Sequence, residues 1–300
     1  MYVVTGATGN SGHVVAQKLL AAGQKVRAIG RSAERLQAIA AKGAEACVCD
    51  LTNRAALAKA FEGALGVYVM IPPDMAGDNY RAHQDQITDA VTAALDAARV
   101  RHVVTLSSIG ADKFEGTGPV VGLHILEAKV NQITGLHALH LRAGYFMENL
   151  LAQIGIVKAM GVTAGPLRGE LELPMIATQD IGAYAADALL RLEFTGQSTR
   201  ELQGQRNISM AEAAGIIGRA LGRPHLSYTR LPDDQIRASL IQMGASLTTA
   251  NLILAMAAAL NSGHMTALEP RSAENTTPTS FETFVEKVFV PLFKGKPAAA

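Results

Sequence analysis

Short runs of apolar and β-branched residues alternate with amphipathic stretches along the first half of the chain. That alternation is typical of parallel strands joined by crossover helices. It predicts six strands, at residues 2–5, 25–29, 45–49, 66–71, 102–107 and 138–141. It also predicts five helices, near residues 13–22, 33–42, 54–61, 79–98 and 124–134. We therefore predict an α/β fold with a doubly wound parallel sheet, whose ligands bind beyond the carboxyl ends of the strands.

The second half of the chain follows a different pattern. After Arg142 the alternation gives way to segments punctuated by glycine and proline. Two helical patterns follow, at residues 180–192 and 210–221. We predict a sheet domain over residues 1–150 and a smaller, mostly helical domain over residues 151–300. No linker marks the boundary, which leaves room for a later strand to return to the main sheet. Residues 294–300 are predicted to form a frayed tail.

The chain begins with a strand that runs directly into three glycines and then into an amphipathic helical pattern. Gly6 permits a tight turn, Gly9 lets a pyrophosphate approach the backbone, and Gly12 lets the helix pack close to the strand. Backbone N–H groups at the start of the helix then face the phosphates. An ordinary turn without a ligand is the alternative, but the flanking strand and helix patterns favour a dinucleotide site. Its predicted residues are Gly6, Thr8, Gly9, Asn10, Ser11 and Gly12.

The end of the second strand indicates which dinucleotide is bound. An acidic residue there accepts hydrogen bonds from the adenosine ribose, whereas an arginine pairs with a ribose phosphate. The strand ends in Gly30 and Arg31, with no Asp or Glu. NADP is therefore favoured over NAD. The alternative is a solvated Arg31 that has no ligand.

Three further strand ends supply candidate cofactor contacts. Asp50 and the apolar residue after it are placed to flank an adenine, although Asp50 is equally suited to cap the next helix. Two prolines end the fourth strand, remove backbone donors and direct the chain outward beside the expected nicotinamide path. A serine pair ends the fifth strand near the reactive end of the cofactor. The candidates at these ends are Asp50, Leu51, Ile71, Pro72, Pro73 and Ser107.

Composition and charge narrow the class of partner. The 300 residues are 49% hydrophobic, and the formal net charge is +1, with lysines and arginines scattered among the acids. Because no basic stripe is present, we expect a small-molecule ligand and no nucleic acid. The apolar run at residues 252–260 is too short to span a bilayer, so no membrane partner is expected.

Cysteine usage bears on metal binding and on the cellular compartment. Cys47 and Cys49 are the only cysteines, and no further ligand residues accompany them. Both are expected on one face of a strand in the core, and no metal site is predicted. The sequence shows neither a disulfide framework nor a signal peptide, so a reducing cytoplasm is the expected location.

Several of these features occur together in one known family. They are residues 5–12, Arg31, Asp50, Leu51, Ser107, Ser108, residues 124–129, and the run Leu141-Arg142-Ala143-Gly144-Tyr145-Phe146-Met147-Glu148-Asn149. Together they resemble the NmrA-like group of atypical short-chain dehydrogenases, over most of the chain. The resemblance extends to Asp180-Ile181-Gly182 and to Asn207-Ile208-Ser209. Within the group, the chain is most similar to NAD(P)H-binding quinone oxidoreductases and the related triphenylmethane dye reductases.

The resemblance implies an NADPH-binding Rossmann domain and a small C-terminal domain that closes a cleft over the nicotinamide. It assigns the pyrophosphate to the glycine turn and the ribose phosphate to Arg31. The adenine is assigned to Asp50 and Leu51, and the nicotinamide ribose to residues 71–73. Further implied contacts along the nicotinamide and the cleft floor are Lys129, Tyr145, Phe146, Met147 and Glu148.

One departure from ordinary short-chain dehydrogenases concerns proton transfer. Those enzymes pair a tyrosine with a lysine four residues later, but residues 122–129 contain no tyrosine. A carbonyl reaction needs a proton donor of tuned pKa, whereas a quinone can accept hydride and then take protons from solvent. His124 is the candidate substitute acid, and a helix-start residue facing water is the alternative. Lys129, the other catalytic candidate, is better suited to contact the cofactor.

The predicted function is NADPH-dependent hydride transfer to a quinone or another flat electron acceptor. One alternative is a non-catalytic redox sensor that binds NADP(H), and another is a reductase of dyes, carbonyls or imines. The methionine-rich residues 256–265 are suited either to an adaptable apolar pocket or to the core, and core packing is favoured. The sequence leaves the oligomeric state open, a homodimer included.

Overall fold

The computed structural model describes residues 1–297, so the last three residues of the predicted tail lie outside the described residues. Twelve strands occur in that described range. They are β1 (Tyr2–Val4), β2 (Val26–Gly30), β3 (Glu45–Val48), β4 (Gly66–Val69), β5 (His102–Ser108), β6 (His137–Ala143), β7 (Tyr145–Phe146), β8 (Thr163–Gly165), β9 (Leu173–Ile176), β10 (Gln197–Leu202), β11 (Asn207–Ile208) and β12 (Tyr228–Arg230).

The α-helices of the described residues lie between and after these strands. They are α1 (Asn10–Ala21), α2 (Ala33–Ala40), α3 (Arg54–Phe61), α4 (Tyr80–Ala97), α5 (Val121–Val130), α6 (Gln153–Met160), α7 (Thr178–Arg191), α8 (Met210–Ala220), α9 (Asp233–Gln242), α10 (Leu247–Ser262), α11 (Phe281–Phe284) and α12 (Val290–Phe293). A π-helical turn, Val285–Phe289, joins the last two helices. Short 3₁₀ turns precede α5 and α6, at Gly118–Val120 and Met147–Ala152.

Seven strands form one parallel sheet in the order β3-β2-β1-β4-β5-β6-β10. The six strands predicted from the sequence are all present, and the predicted doubly wound α/β fold is confirmed. The chain leaves β1 toward one edge of the sheet and β4 toward the other. The carboxyl ends of β1 and β4 therefore form the crevice in which such sheets bind ligands.

The second half of the chain contributes to this main sheet. Strand β10 pairs in parallel with β6, with Gln197 opposite Ala138 and Leu202 opposite Ala143. Helix α7 packs on α1 closely enough that a Cβ added to Gly182 would lie 2.6 Å from the carbonyl oxygen of Ser11. The domain boundary near residue 150 left room for a later strand in the main sheet; β10 is such a strand, and residues 178–202 extend the layers of the sheet.

Two small sheets, β11-β9-β7 and β12-β8, were not predicted from the sequence. Their strands have two to four residues, too few to show a period-2 pattern. They lie with α6, α8, α10 and the C-terminal helices around a separate apolar cluster. This smaller unit is the part of the chain that faces the carboxyl ends of β5 and β6.

The main sheet buries apolar side chains on both faces. One cluster lies under α1, α2 and α7, and the other under α3, α4 and α5. Cys49 is buried in the second cluster and Cys47 packs against it, as the sequence predicted. Burial raises the pKa of the Cys49 thiol to about 11, so the thiol stays protonated at neutral pH.

Side-chain caps start half of the helices in the described range. In each, a Ser or Asn oxygen accepts the backbone N–H three residues later, which satisfies a donor that has no partner within the helix. The capping residues are Ser32, Asn53, Asn79, Ser209, Ser246 and Ser280. Helix α1, which follows the glycine turn, starts without such a cap.

Candidate active site at the carboxyl edge of the sheet

The glycine turn between β1 and α1 is held tightly by its own backbone. Gly6 has a φ of +61°, a conformation that favours glycine, and its carbonyl oxygen accepts the N–H of Gly9 at 2.9 Å. A Cβ added to Gly12 would lie 2.3 Å from that same oxygen. No side chain fits there, so the close packing predicted from the sequence is a steric requirement.

The start of α1 presents unpaired amides at this turn. The first hydrogen bond of the helix joins the N–H of His13 to the carbonyl of Gly9. The amides of Asn10, Ser11 and Gly12 have no helical partner, and the helix has no side-chain cap. The Ser11 hydroxyl is buried and accepts the Tyr68 hydroxyl at 2.9 Å, so Ser11 offers its amide to a ligand. This donor set fits a pyrophosphate, because uncapped helix N-termini attract anions.

A cationic group lies beside the turn. Arg31, directly after β2, is exposed and has no carboxylate partner within residues 1–297. Arg35, on the first turn of α2, donates to the carbonyl oxygen of Thr8 at 3.0 Å. Sequence reasoning missed Arg35, although the helix predicted from residue 33 places it in the first turn, four residues after Arg31. Two guanidinium groups therefore stand at the edge where a ribose phosphate is predicted.

Asp50 is close to Arg31 but is not a helix cap. Its Oδ1 atom accepts the N–H and the hydroxyl of Thr52, at 2.8 and 2.7 Å, while Asn53 caps α3. The capping alternative is therefore wrong. The bonds from Thr52, with smaller effects from Arg31 and His83, lower the pKa of Asp50. The carboxylate is ionised at neutral pH, and an adenine contact stays a prediction for Asp50 and the buried Leu51.

A cavity of about 390 Å³ extends from the carboxyl ends of β4, β5 and β6 toward the smaller unit. Its lining is mainly apolar and includes both sides of the cleft. Of the sequence-predicted residues, those that line it are Ile71, Pro73, Ser107, Tyr145 and Phe146. Of the further lining residues, Asn207 was named from the sequence only as part of the family resemblance, and Tyr80, Gln84, Glu172 and Gln203 were not singled out. No sequence pattern marked these four residues, because they lie in helix starts and short loops of separate segments of the chain.

The methionine-rich segment contributes to the cavity wall. Met256 and Met265 line the cavity, and Met265 is also buried in the apolar cluster of the smaller unit. Core packing, the favoured interpretation of the sequence, describes only part of their role. Both methionines pack in or against the apolar cluster and also line the cavity. Flexible thioether side chains suit a wall that adapts to different flat ligands.

A buried ion pair supports the floor of the cavity at β5 and β6. Arg142 binds both carboxylate oxygens of Glu127, with Nε 3.0 Å from Oε1 and Nη2 2.5 Å from Oε2. The Ser107 hydroxyl donates to Glu127 Oε1 at 2.6 Å. Glu127 on α5 thus ties two neighbouring strands together, and the only proton of the Ser107 hydroxyl is already used.

Of residues 145–148, the first two line the cavity and the last two pack behind its wall. Tyr145 lies beside Asn149, and burial raises the pKa of Tyr145 to about 12, so the phenol is neutral at physiological pH. Met147 is buried in the apolar cluster of the smaller unit. Glu148 accepts the N–H and hydroxyl of Thr178, at 3.0 and 2.5 Å, and burial raises its pKa. Met147 and Glu148 therefore do not line the cavity but anchor the segment that does.

The structure does not bring His124 and Lys129 to the cavity wall. His124 Nδ1 is 2.8 Å from the carbonyl oxygen of Ala111. Lys129 forms an ion pair with Asp89 on α4. The two residues are five positions apart on α5, which places them on different sides of the helix. Pro72 is likewise absent from the lining, although its neighbours on either side are present.

No group of three or more His, Cys, Asp or Glu side chains within residues 1–297 is arranged to hold a metal ion. None of the helices in this range combines the length and apolar character that crossing a membrane requires.

Comparison with known proteins gives consistent matches over most of the chain. The model of the NmrA-like family matches residues 2–285. An NAD(P)H azoreductase of Xenophilus azovorans is 29% identical over 248 residues, which span 81% of this chain and 82% of that protein. Quinone oxidoreductase 2 of Escherichia coli is 28% identical over 249 residues, again 81% of this chain and 82% of that protein. Among solved structures, Citrobacter triphenylmethane reductase with NADP(H) gives a TM-score of 0.76 at 21% identity, covering 95% of this chain and 99% of that one.

Proposed function

The chain belongs to the NmrA-like family, and from that premise we propose that it is an NADPH-dependent oxidoreductase acting on a quinone or a similar flat acceptor. The observation that carries the proposal is the apolar cavity, which starts at the strand ends beside the glycine turn and continues under the smaller unit. Ligand sites of doubly wound sheets lie at this edge. A mainly apolar lining with few polar groups suits a flat conjugated molecule.

The names of the related proteins support this class of acceptor. An azo compound, a quinone and a triphenylmethane dye are the substrates named for the three. All three are planar or nearly planar conjugated systems that accept a hydride. A small-molecule acceptor, rather than a nucleic acid, also agrees with the formal net charge of +1.

The residues that would hold NADPH are those of the turn and its edge. The amides of Asn10, Ser11 and Gly12 would bind the pyrophosphate, and Arg31 with Arg35 would pair with the ribose phosphate. The cavity residues Ile71 and Tyr145 would bound the nicotinamide side. The bound cofactor supplies the hydride. Exclusion of water by the apolar wall protects the acceptor during transfer.

The cavity also limits how protons are delivered. No His, Lys or Arg side chain is among the lining residues in the described part of the chain. Tyr145 keeps its proton at neutral pH because of its raised pKa, so it serves as a hydrogen-bond donor and not as a base. We therefore assign no chemistry to His124 or Lys129. Protons reach the reduced acceptor from solvent, as quinone reduction permits.

A panel of acceptors tests the proposal directly. Purified protein and NADPH are mixed with benzoquinone, naphthoquinone, malachite green or simple aldehydes, and loss of the nicotinamide absorbance is followed. We expect turnover with the quinones or the dye and none with the aldehydes, because burial raises the pKa of the lining Tyr145 and no lysine among the described lining residues lowers it. Tight NADPH binding without oxidation by any acceptor would support the redox-sensor alternative instead. Rapid aldehyde reduction would contradict the proposed acceptor class.

Cofactor choice gives a second, independent prediction. Replacing Arg31 by Ala is expected to raise the Kd for NADPH about tenfold, because a charge-assisted bond to the ribose phosphate is lost. The Kd for NADH is expected to stay unchanged. Calorimetric titration of both cofactors measures the two constants. Arg101→Ala is the matched control, since Arg101 is exposed at the amino end of β5. Equal losses for NADPH and NADH would show that Arg31 does not select the phosphate.

We also place the protein in the reducing cytoplasm. Its two cysteines are free thiols in or against the core, and reduced thiols are usual in that compartment. Detection of the intact protein in the soluble cytosolic fraction of its host, and its absence from the periplasm or medium, tests this placement.

A further inference from the structure

Asn207 lines the cavity, and its side-chain oxygen is held by the protein. It lies at the start of β11. Its Oδ1 atom accepts the Nη2 group of Arg271 at 2.6 Å. A guanidinium can only donate, so the amide atom that faces Arg271 must be the carbonyl oxygen. The amide nitrogen of Asn207, with two N–H bonds, therefore faces away from Arg271.

Arg271 is held firmly in this position. It donates to the carbonyl oxygens of Gly204, at 2.6 Å, and Gln203, at 3.3 Å. No carboxylate within the described residues forms an ion pair with it. Arg271 and Asn207 are both exposed, and the charge-assisted bond between them polarises the Asn207 amide and strengthens its N–H groups as donors.

Four other polar side chains of the cavity wall direct donors at the protein itself. The Ser107 hydroxyl donates to Glu127 and the Ser108 hydroxyl to the carbonyl of Ile109. The Gln203 amide donates to the carbonyl of Glu269, and the Gln84 amide to the carbonyl of Pro119. The amides of Gln84 and Gln203 thus use their nitrogen in a hydrogen bond to the protein, whereas the Asn207 amide uses its oxygen.

We propose that the Asn207 N–H group stabilises the negative oxygen that forms on the acceptor, and that Arg271 is its positioning residue. The inference rests on the proposed function. A quinone that takes up H⁻ becomes the hydroquinone monoanion, with the charge on a phenolate oxygen, while the nicotinamide is oxidised. One proton from water then completes the hydroquinone. A fixed donor aimed at this oxygen lowers the barrier, since it strengthens as charge develops.

Replacing Asn207 by Asp tests the donor. The Asp side chain keeps an oxygen for Arg271 but has no N–H group. We expect kcat/KM for 1,4-benzoquinone to fall about 10- to 100-fold, mainly in kcat. The Kd for NADPH and the Tm are expected to stay unchanged. Asn251→Asp is the matched control, because Asn251 Oδ1 also accepts an arginine, Arg237 Nε at 2.8 Å, but lies outside the cavity.

A binding measurement separates this inference from the proposed function. The absorbance of 4-nitrophenol reports its ionisation when it is bound in the cavity. Wild-type protein is expected to favour bound phenolate, and Asn207→Asp to favour bound phenol. Arg271→Gln should reduce kcat and the phenolate fraction, with partial recovery in Arg271→Lys. If none of the acceptors in the panel is reduced by NADPH and the wild-type protein, the proposed function fails. The shift between bound phenol and bound phenolate still tests Asn207 in that case. Unchanged kcat with unchanged ionisation, or no phenolate preference in wild type, overturns the inference.

Discussion

Gly12→Ala is expected to abolish measurable binding of NADPH, with a loss of at least 100-fold in affinity. The added Cβ would lie 2.3 Å from the Gly6 carbonyl oxygen and 3.0 Å from that of Thr5. Both contacts are with backbone, so α1 must move away from β1 to relieve them. The amides that the turn presents then no longer converge on one anion. Calorimetric titration with NADPH measures the loss, and circular dichroism checks that the protein still folds.

A second helical glycine provides the control for this prediction. Gly155 lies within α6, and a Cβ added there meets nothing within 4 Å. Gly155→Ala is expected to keep the wild-type Kd and to stabilise the protein slightly, since alanine is the better helix former. If Gly12→Ala bound NADPH as tightly as Gly155→Ala, the glycine turn would not be the phosphate site.

Arg142→Met is expected to lower the free energy of unfolding by about 3 kcal/mol at neutral pH. The substitution leaves the Glu127 carboxylate buried, with only the Ser107 hydroxyl as a donor. An uncompensated buried charge is far more costly than the lost contact itself. Urea unfolding at neutral pH measures the effect.

Two further variants make this prediction specific to the buried pair. The double variant Arg142→Met/Glu127→Leu is expected to recover most of the stability, because no charge is then left unpaired. Asp187→Asn breaks the half-exposed pair between Lys18 and Asp187 and is expected to cost less than about 1 kcal/mol. A loss in Arg142→Met no larger than that in Asp187→Asn would contradict the role assigned to the Glu127 pair.

The glycine turn and the arginine that follows β2 were predictable from local sequence. The spacing of Gly6, Gly9 and Gly12 predicts a turn in which the helix packs directly on the strand. In the structure, a Cβ added to Gly12 would lie 2.3 Å from the Gly6 carbonyl oxygen. Arg31 follows a strand, and strand ends in a parallel sheet share one edge. Arg35 was overlooked because its contact with the Thr8 carbonyl joins α2 to a different turn.

The acceptor end was not predictable in the same way. Lys129 and His124 were inferred from a family position, but each makes its contact elsewhere, with Asp89 and the carbonyl of Ala111. Asn207 belongs to a two-residue strand and owes its orientation to Arg271, 64 residues later in the chain. No local pattern marks such a pair, because neither residue has a role until the other is placed beside it.

The sequence by itself determined the α/β class, the first six strands, the glycine turn and membership of the NmrA-like family. Each of these depends on periodicity or on residues close together in the chain, and such signals survive without knowledge of packing. Only the tertiary structure decided which side chains line the cavity, where the seventh strand pairs and which polar groups keep a free donor. Those properties depend on contacts between distant segments, and their geometry is set when the smaller unit packs over the strand ends.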